Sequence, residues 1–137
     1  MVNKVTLIGR LGKDPEVRTL DSGTNIAKFS VATDESYKDK NGEWQTQTEW
    51  HNVILWRGLA ERAEQGLKKG SLVYIEGKLT SRSWQDEKGN TNYITEVRGN
   101  YFRVIQKEST KAQQSSTTAP TNTAPAAVDS SGDDLPF

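Results

Sequence analysis

The sequence predicts an all-β domain of five strands with one short helix, followed by a tail that does not fold. Three observations carry that prediction. Strand-like segments bounded by Gly, Pro, Asn and Asp recur through residues 1–107. A single segment has helical spacing, with Leu59, Ala63 and Leu67 at i, i+4 and i+8. Beyond Lys107 the pattern stops: from Glu108 to Gly132 there is no aromatic residue, and Val128 is the sole large aliphatic one.

The elements follow in order. Val5-Thr6-Leu7-Ile8-Gly9 reads as the first strand, and Gly12, Asp14 and Pro15 break or bend it before Val17 and the Asp21-Ser22-Gly23 turn. Ile26 to Thr33 alternates, with Ala27, Phe29 and Val31 on one side, and forms the second strand. Asp34 to Glu43 is charged and holds Asn41-Gly42, a turn signal, so it reads as a loop. The third strand covers Trp44 to Trp56 and the helix Leu59 to Lys69, with Lys68 and Lys69 in its last turn and Gly70 beyond. Leu72 to Trp84 is the fourth strand, Asp86 to Asn90 a hairpin turn, and Tyr93 to Ile105 the fifth. One helix between strands three and four of an antiparallel five-strand set is the plan of an OB-fold barrel. A small sandwich or an SH3-like barrel also accommodates five strands, but the helix position favours the OB plan.

Composition narrows the function. Formal charge is zero over 137 residues, yet residues 1–107 carry 17 Lys/Arg against 14 Asp/Glu, and residues 108–137 one Lys against four acids. A mildly basic body with an acidic tail points to a polyanionic partner and a tail able to compete with it. No cysteine and one histidine, His51, leave no disulfide framework, no thiolate site and no His-rich metal site. His51 reads as a packed, hydrogen-bonded side chain. No cofactor, metal or membrane partner is expected. The N-terminus has no apolar run suited to a signal peptide, and the expectation is a soluble intracellular protein. No nucleophile–base pair and no phosphate-cradling glycine loop is visible, so a binding role is expected rather than an enzyme.

The third and fourth strands carry the chemistry. Residues two apart share a face, so Trp50, Asn52, Ile54 and Trp56 lie on one side and His51, Val53 and Leu55 on the other, with Val53 and Leu55 as core. Unbroken pairing adds Trp44 to the tryptophan side. On the fourth strand Lys78, Thr80, Arg82 and Trp84 share a face. Tyr37 adds an aromatic ring within Glu35-Ser36-Tyr37-Lys38-Asp39-Lys40. Aromatic rings interleaved with cations suit single-stranded nucleic acid, whose bases stack and whose backbone is a line of charge. The candidate stacking residues are Tyr37, Trp50, Trp56 and Trp84, and the candidate backbone-binding cations are Lys4, Arg10, Lys78 and Arg82. Each has a plainer reading: Trp50 or Trp56 filling the barrel or a subunit interface, Trp84 plugging a strand end, Lys78 and Arg82 merely solvated.

The terminus is the second candidate site. Residues 108–132 are too polar to offset their ordering entropy and are expected to be a disordered linker. Asp133-Asp134-Leu135-Pro136-Phe137 then places an apolar hook behind paired acids, suited to capture by another protein.

Together, Asn3-Lys4-Val5, Leu7-Ile8-Gly9, Leu11-Gly12-Lys13-Asp14-Pro15-Glu16, Thr48-Glu49-Trp50-His51, Lys69-Gly70-Ser71, Tyr74-Ile75-Glu76-Gly77 and the terminal five residues resemble the bacterial single-stranded DNA-binding proteins. The resemblance implies an OB-fold domain over residues 1–107 and a homotetramer wrapped by single-stranded DNA. It also implies an acidic tip at Asp133, Asp134, Leu135, Pro136 and Phe137 that docks replication and repair proteins, and a place in the cytoplasm with the nucleoid. The family's stacking aromatics align with Tyr37, Trp50, Trp56 and Trp84, with Tyr37 where Trp is common and Trp56 where Phe is common. Trp44 has no counterpart in that pattern and reads either as an additional platform or as a loop plug. The alternative within the same fold is an RNA-binding or primosome-type protein, which would have no need of an acidic hook.

Overall fold

The computed structural model describes residues 1–108. The expectations for the linker beyond Glu108 and for the tip Asp133 to Phe137 fall outside the described residues. Six strands and one helix follow in order: β1 (Val5–Leu11), β2 (Glu16–Thr19), β3 (Asn25–Lys38), β4 (Trp44–Trp56), α1 (Gly58–Gly66), β5 (Leu72–Gln85) and β6 (Thr91–Gln106). Strands run in the order β1-β5-β6-β4-β3-β2, and β1 also pairs with β3, which closes the barrel. The five barrel strands are β1, β3, β4, β5 and β6, so the helix lies between the third and fourth of them, as the OB plan requires.

The sixth strand, β2, has a simple origin. β1 pairs with β3 only at Arg10↔Ala32 and Leu11↔Val31, and the chain then turns away through Gly12 to Pro15. It returns as β2 along the same edge of β3, pairing Glu16↔Lys28 through Thr19↔Asn25. The break at Pro15, which has no N–H to give a ladder, splits one edge between two short strands. One pairing is not antiparallel: β4 meets β6 in parallel at Val53↔Val97 and Ile54↔Arg98.

Alternation on the strands fills the interior. Phe29, Val31, Val53, Leu55, Val73, Ile75, Val97 and Phe102 are buried together with Leu11 and Ala27. Each large side chain so enclosed contributes roughly 1.5–3 kcal/mol by leaving water. The helix caps one end with Ala60 and Ala63. It stops at Gly66, three residues before the predicted end, because Leu67 adopts an extended backbone (φ −109°, ψ 138°) and buries its side chain in the core. The backbone N–H groups of Lys68 and Lys69 are taken by Ser71 Oγ at 3.2 Å and Asp14 Oδ1 at 2.7 Å instead of by a further helical turn.

The predicted loop at Asp34–Glu43 is the main difference from expectation. Residues 34–38 continue β3 and pair without a register shift from Asp34↔Thr48 to Lys38↔Trp44. Both sides of this ribbon are exposed, so cross-strand hydrogen bonds rather than burial hold it, such as Thr48 Oγ1 donating to Asp34 Oδ1 at 2.6 Å. Its turn is pinned by Asp39, whose carboxylate accepts from the N–H groups of Asn41 and Glu43 and from Gln45. Gly42 supplies the positive φ, 78°, that the turn needs. The β5–β6 ribbon ends the same way, with Asp86 accepting from Lys88 and Asn90 and Gly89 at φ 79°. These donors hold both carboxyls below the ordinary aspartate range.

Candidate nucleic-acid interface

The outward side chains of β3, β4, β5 and β6 form one surface. Register places Ser30 beside Asn52, Lys28 beside Ile54 and Ile26 beside Trp56. The parallel pair brings Arg98 beside Ile54, and the β5–β6 ladder adds Lys78 opposite Arg98, Thr80 opposite Glu96 and Arg82 opposite Ile94. Two adjoining clefts run along it. One, of about 270 Å³, is bounded by Ile26, Ile54, Trp56 and Arg98; the other, of about 200 Å³, by Lys13, Glu16, Ser30 and Asn52. Both share Lys28, Arg82 and Glu96, so they make a continuous groove. Its charged lining is Lys13, Lys28, Arg82 and Arg98 against Glu16 and Glu96, a cationic excess suited to a polyanion.

The tryptophans border this groove differently. Trp50 is 56 % exposed, and its ring rests against Gly12, where a β-carbon would collide with the indole. The close approach of the β1–β2 connection thus supports one side of the ring and leaves another open. Trp84 is 44 % exposed, with the Arg82 guanidinium 5.4 Å from its ring centroid. Trp56 is half-buried and covered by Arg98 at 5.1 Å. Its buried indole N–H has no hydrogen-bond partner among the described residues. Trp44 is 72 % exposed, which removes the plug reading. Tyr37, 47 % exposed, sits with Glu35 and Thr33 on the other side of the β3–β4 ribbon from Trp50 and Trp56. A strand using both Tyr37 and Trp50 must pass around the ribbon edge.

The candidate cations separate into two groups. Lys78 is exposed beside the groove. Arg82 is in the groove but already engaged: its Nε donates to Glu96 Oε2 at 3.1 Å and its Nη2 to Oε1 at 3.3 Å. That carboxylate, with the Glu96 side chain only 8 % exposed, holds the guanidinium pKa above its ordinary value and orients it over Trp84. Lys4 and Arg10 are elsewhere. Lys4 Nζ lies 3.9 Å from Glu76, and Arg10 donates to the Gly70 carbonyl at 3.0 Å and to Gln106 Oε1 at 3.1 Å.

That second region is a distinct outer face. Ile8 lies opposite Tyr74 in the β1–β5 ladder, and Tyr74 packs edge-to-face on Tyr101 with centroids 6.2 Å apart. Ile8, Tyr101 and Ile105 are all exposed. The Tyr74 hydroxyl donates to Glu76, which holds the phenol above its ordinary pKa. Sequence reading missed Lys28, Glu96 and Arg98. The signal was present in the alternation of Ile94, Glu96 and Arg98 against Thr95, Val97 and Gly99.

The family model described as the single-strand binding protein family matches residues 2–105. The chain belongs to that family. Among solved structures, the chain is similar to that described as Plasmodium falciparum SSB complex with ssDNA. The TM-score is 0.70 and the identity 32 %, over 79 % of this chain and 97 % of that one. The matched span takes in both ribbons and all of the barrel but Gln106, so the groove belongs to the part of the chain that the single-strand binding family shares.

Proposed function

We propose that this chain binds and protects single-stranded DNA with little regard to sequence, without catalysis, in replication, recombination and repair. The observation that carries this reading is the continuous cationic groove bordered by Trp50, Trp56 and Trp84. Bases stack on the open rings, and Lys13, Lys28 and Lys78 meet phosphates. Arg82 acts chiefly by stiffening Trp84, since Glu96 already compensates its charge. Family membership and the single-stranded DNA in the Plasmodium falciparum relative support the same reading.

The working unit in this proposal is a homotetramer in the cytoplasm, associated with the nucleoid. Its number four is the family's; the exposed Ile8, Tyr101 and Ile105, with half-buried Tyr74, supply an apolar face for assembly. Asp133, Asp134, Leu135, Pro136 and Phe137 recruit replication and repair proteins. Phe137 enters an apolar pocket while the acids meet Lys or Arg at its rim.

Tryptophan fluorescence tests the binding. Titration with dT oligomers should quench emission strongly and lose affinity with added salt. An rU series bound equally well would favour the RNA-binding alternative, and no quenching by either would end the proposal. Deleting residues 133–137 should abolish capture of replication and repair proteins and leave DNA affinity equal or slightly higher at low salt. A truncated protein that keeps those partners but loses DNA would reverse the division of labour.

A further inference from the structure

Trp44 is the largest exposed side chain that the groove does not account for. It stands at the start of β4, opposite Lys38, in a ladder that runs without a register shift from Ile26↔Trp56 to Lys38↔Trp44. An unshifted antiparallel ladder keeps residues two apart on one side, so Trp44, Trp50 and Trp56 belong to a single line along β4. Consecutive members are six residues apart, about 20 Å at ~3.3 Å per residue. Between Trp44 and Trp50 lie the small polar side chains Thr46 and Thr48, and between Trp50 and Trp56 lie Asn52 and Ile54.

The cation beside Trp44 matters as much as its position. Lys38 Nζ lies 5.9 Å from the Trp44 ring centroid. The same pairing recurs at the groove, with Arg82 on Trp84 and Arg98 on Trp56. In each case a cation sits over one face of an indole and so stands beside any phosphate whose base stacks on that ring. At Trp44 the cation makes no salt bridge among the described residues, unlike Arg82. The turn beneath is fixed by the hydrogen bonds of Asp39, so the hairpin tip presents the pair on a defined support.

We infer that Trp44 and Lys38 form an outlying stacking subsite for single-stranded DNA, continuous with the groove and occupied only by strands long enough to run out along the β3–β4 ribbon. This rests on the groove binding single-stranded DNA. The plainer alternative, a subunit contact made by the hairpin tip, is distinguished by the test below.

The test compares the full-length protein with Trp44→Ala, Trp44→Phe and Lys38→Ala, using anisotropy of fluorescein-labelled dT oligomers. Lengths should span the range of about 4 to 16 nucleotides per OB domain and beyond. Trp44→Ala should weaken the longest oligomers roughly tenfold, in keeping with loss of one stacked base, and leave the shortest unchanged. Trp44→Phe should recover most of that loss. Lys38→Ala should reduce the slope of log affinity against log salt by about 0.7, one phosphate's share on a single strand. Equal affinity of Trp44→Ala and the parent at every length overturns the subsite, as does an equal loss at every length. A changed sedimentation coefficient for Trp44→Ala without DNA also overturns it, in favour of the subunit contact. Failure of the parent to bind even short oligomers would instead sink the function proposed for the groove.

Discussion

The barrel has two aromatic outer faces, and they differ in what accompanies the rings. Around the groove, Trp56 and Trp84 each carry a guanidinium within about 5.5 Å, and Lys13, Lys28 and Lys78 stand free of salt bridges among the described residues. On the β1 side, Tyr74 and Tyr101 pack on each other next to Ile8 and Ile105. Two neighbouring cations are engaged there, Lys4 with Glu76 and Arg10 with backbone and amide oxygens, while Arg103, opposite Tyr74, is exposed and makes no salt bridge among the described residues. Aromatic exposure alone therefore does not mark a base-binding surface. Indoles with a cation over the ring suit a polyanion, whereas tyrosines packed on each other and on aliphatics, with no cation over either ring among the described residues, suit another protein surface.

The strongest way to break this comparison is to truncate each face and read both outputs. Ile8→Ala with Tyr101→Ala should dissociate the assembly, with a cost of about 2 kcal/mol or more per lost anchor, and leave affinity for a short dT oligomer unchanged. Trp50→Ala should weaken that oligomer by about 1–3 kcal/mol, a range characteristic of single-strand binding proteins rather than calculated for this chain. It should leave the sedimentation coefficient untouched. Exchange of the two outcomes would mean the faces are assigned the wrong way round.

A smaller effect sharpens the role of Arg82. Arg82→Ala strands the Glu96 carboxylate in the groove floor and should cost about 1–3 kcal/mol of stability in urea denaturation. Adding Glu96→Gln to Arg82→Ala should restore most of it, because a neutral amide needs no counter-charge. If the double variant is no more stable than Arg82→Ala, the pair does not hold the floor together.

The smallest effect lies in the turns. Backbone N–H groups depress the carboxyl pKa of Asp39 and Asp86, so each favours the folded turn above the ordinary value of 3.8. That contribution is lost as pH falls through the lower folded values. Hydrogen exchange at Asn41, Glu43, Lys88 and Asn90 should accelerate below about pH 4, after correction for the intrinsic pH dependence. In Asp39→Asn, whose amide oxygen still accepts, Asn41 and Glu43 should lose that acceleration.

The strand–helix order and both sides of β4 were legible in the sequence because burial writes them there. Val53 and Leu55 alternate with Asn52 and Ile54, and only Val53 and Leu55 join the core cluster, while Ile54 is buried against the groove. Where burial stops, so does legibility. Asp34 to Lys38 has the composition of a loop, yet it is strand because its partners on β4, Thr, Gln and Trp44, are side chains in solvent, and turn geometry sets its register. The groove was half legible. Tryptophans announce themselves, but Glu96 and Arg98 look like ordinary strand polar residues until the parallel pairing brings β6 beside β4. Lys4 and Arg10 illustrate the converse, since positive charge in the sequence carries no information on which face it serves.

The parallel meeting of β4 and β6 extends over two residue pairs, whereas β5 and β6 share a ladder from Leu72 to Gln85. Ile54, Trp56 and Arg98, which floor the groove, lie at this short seam. A strand of DNA in the groove would span it and clasp the two halves of the barrel from outside, at one of the two seams, with β1–β3, where they share only two residue pairs. Ligand at a hundred times its dissociation constant would then add about 2.7 kcal/mol to unfolding. Much of that gain would appear as slowed opening of β4 from β6, so the nucleic acid would serve the fold as a removable fastener.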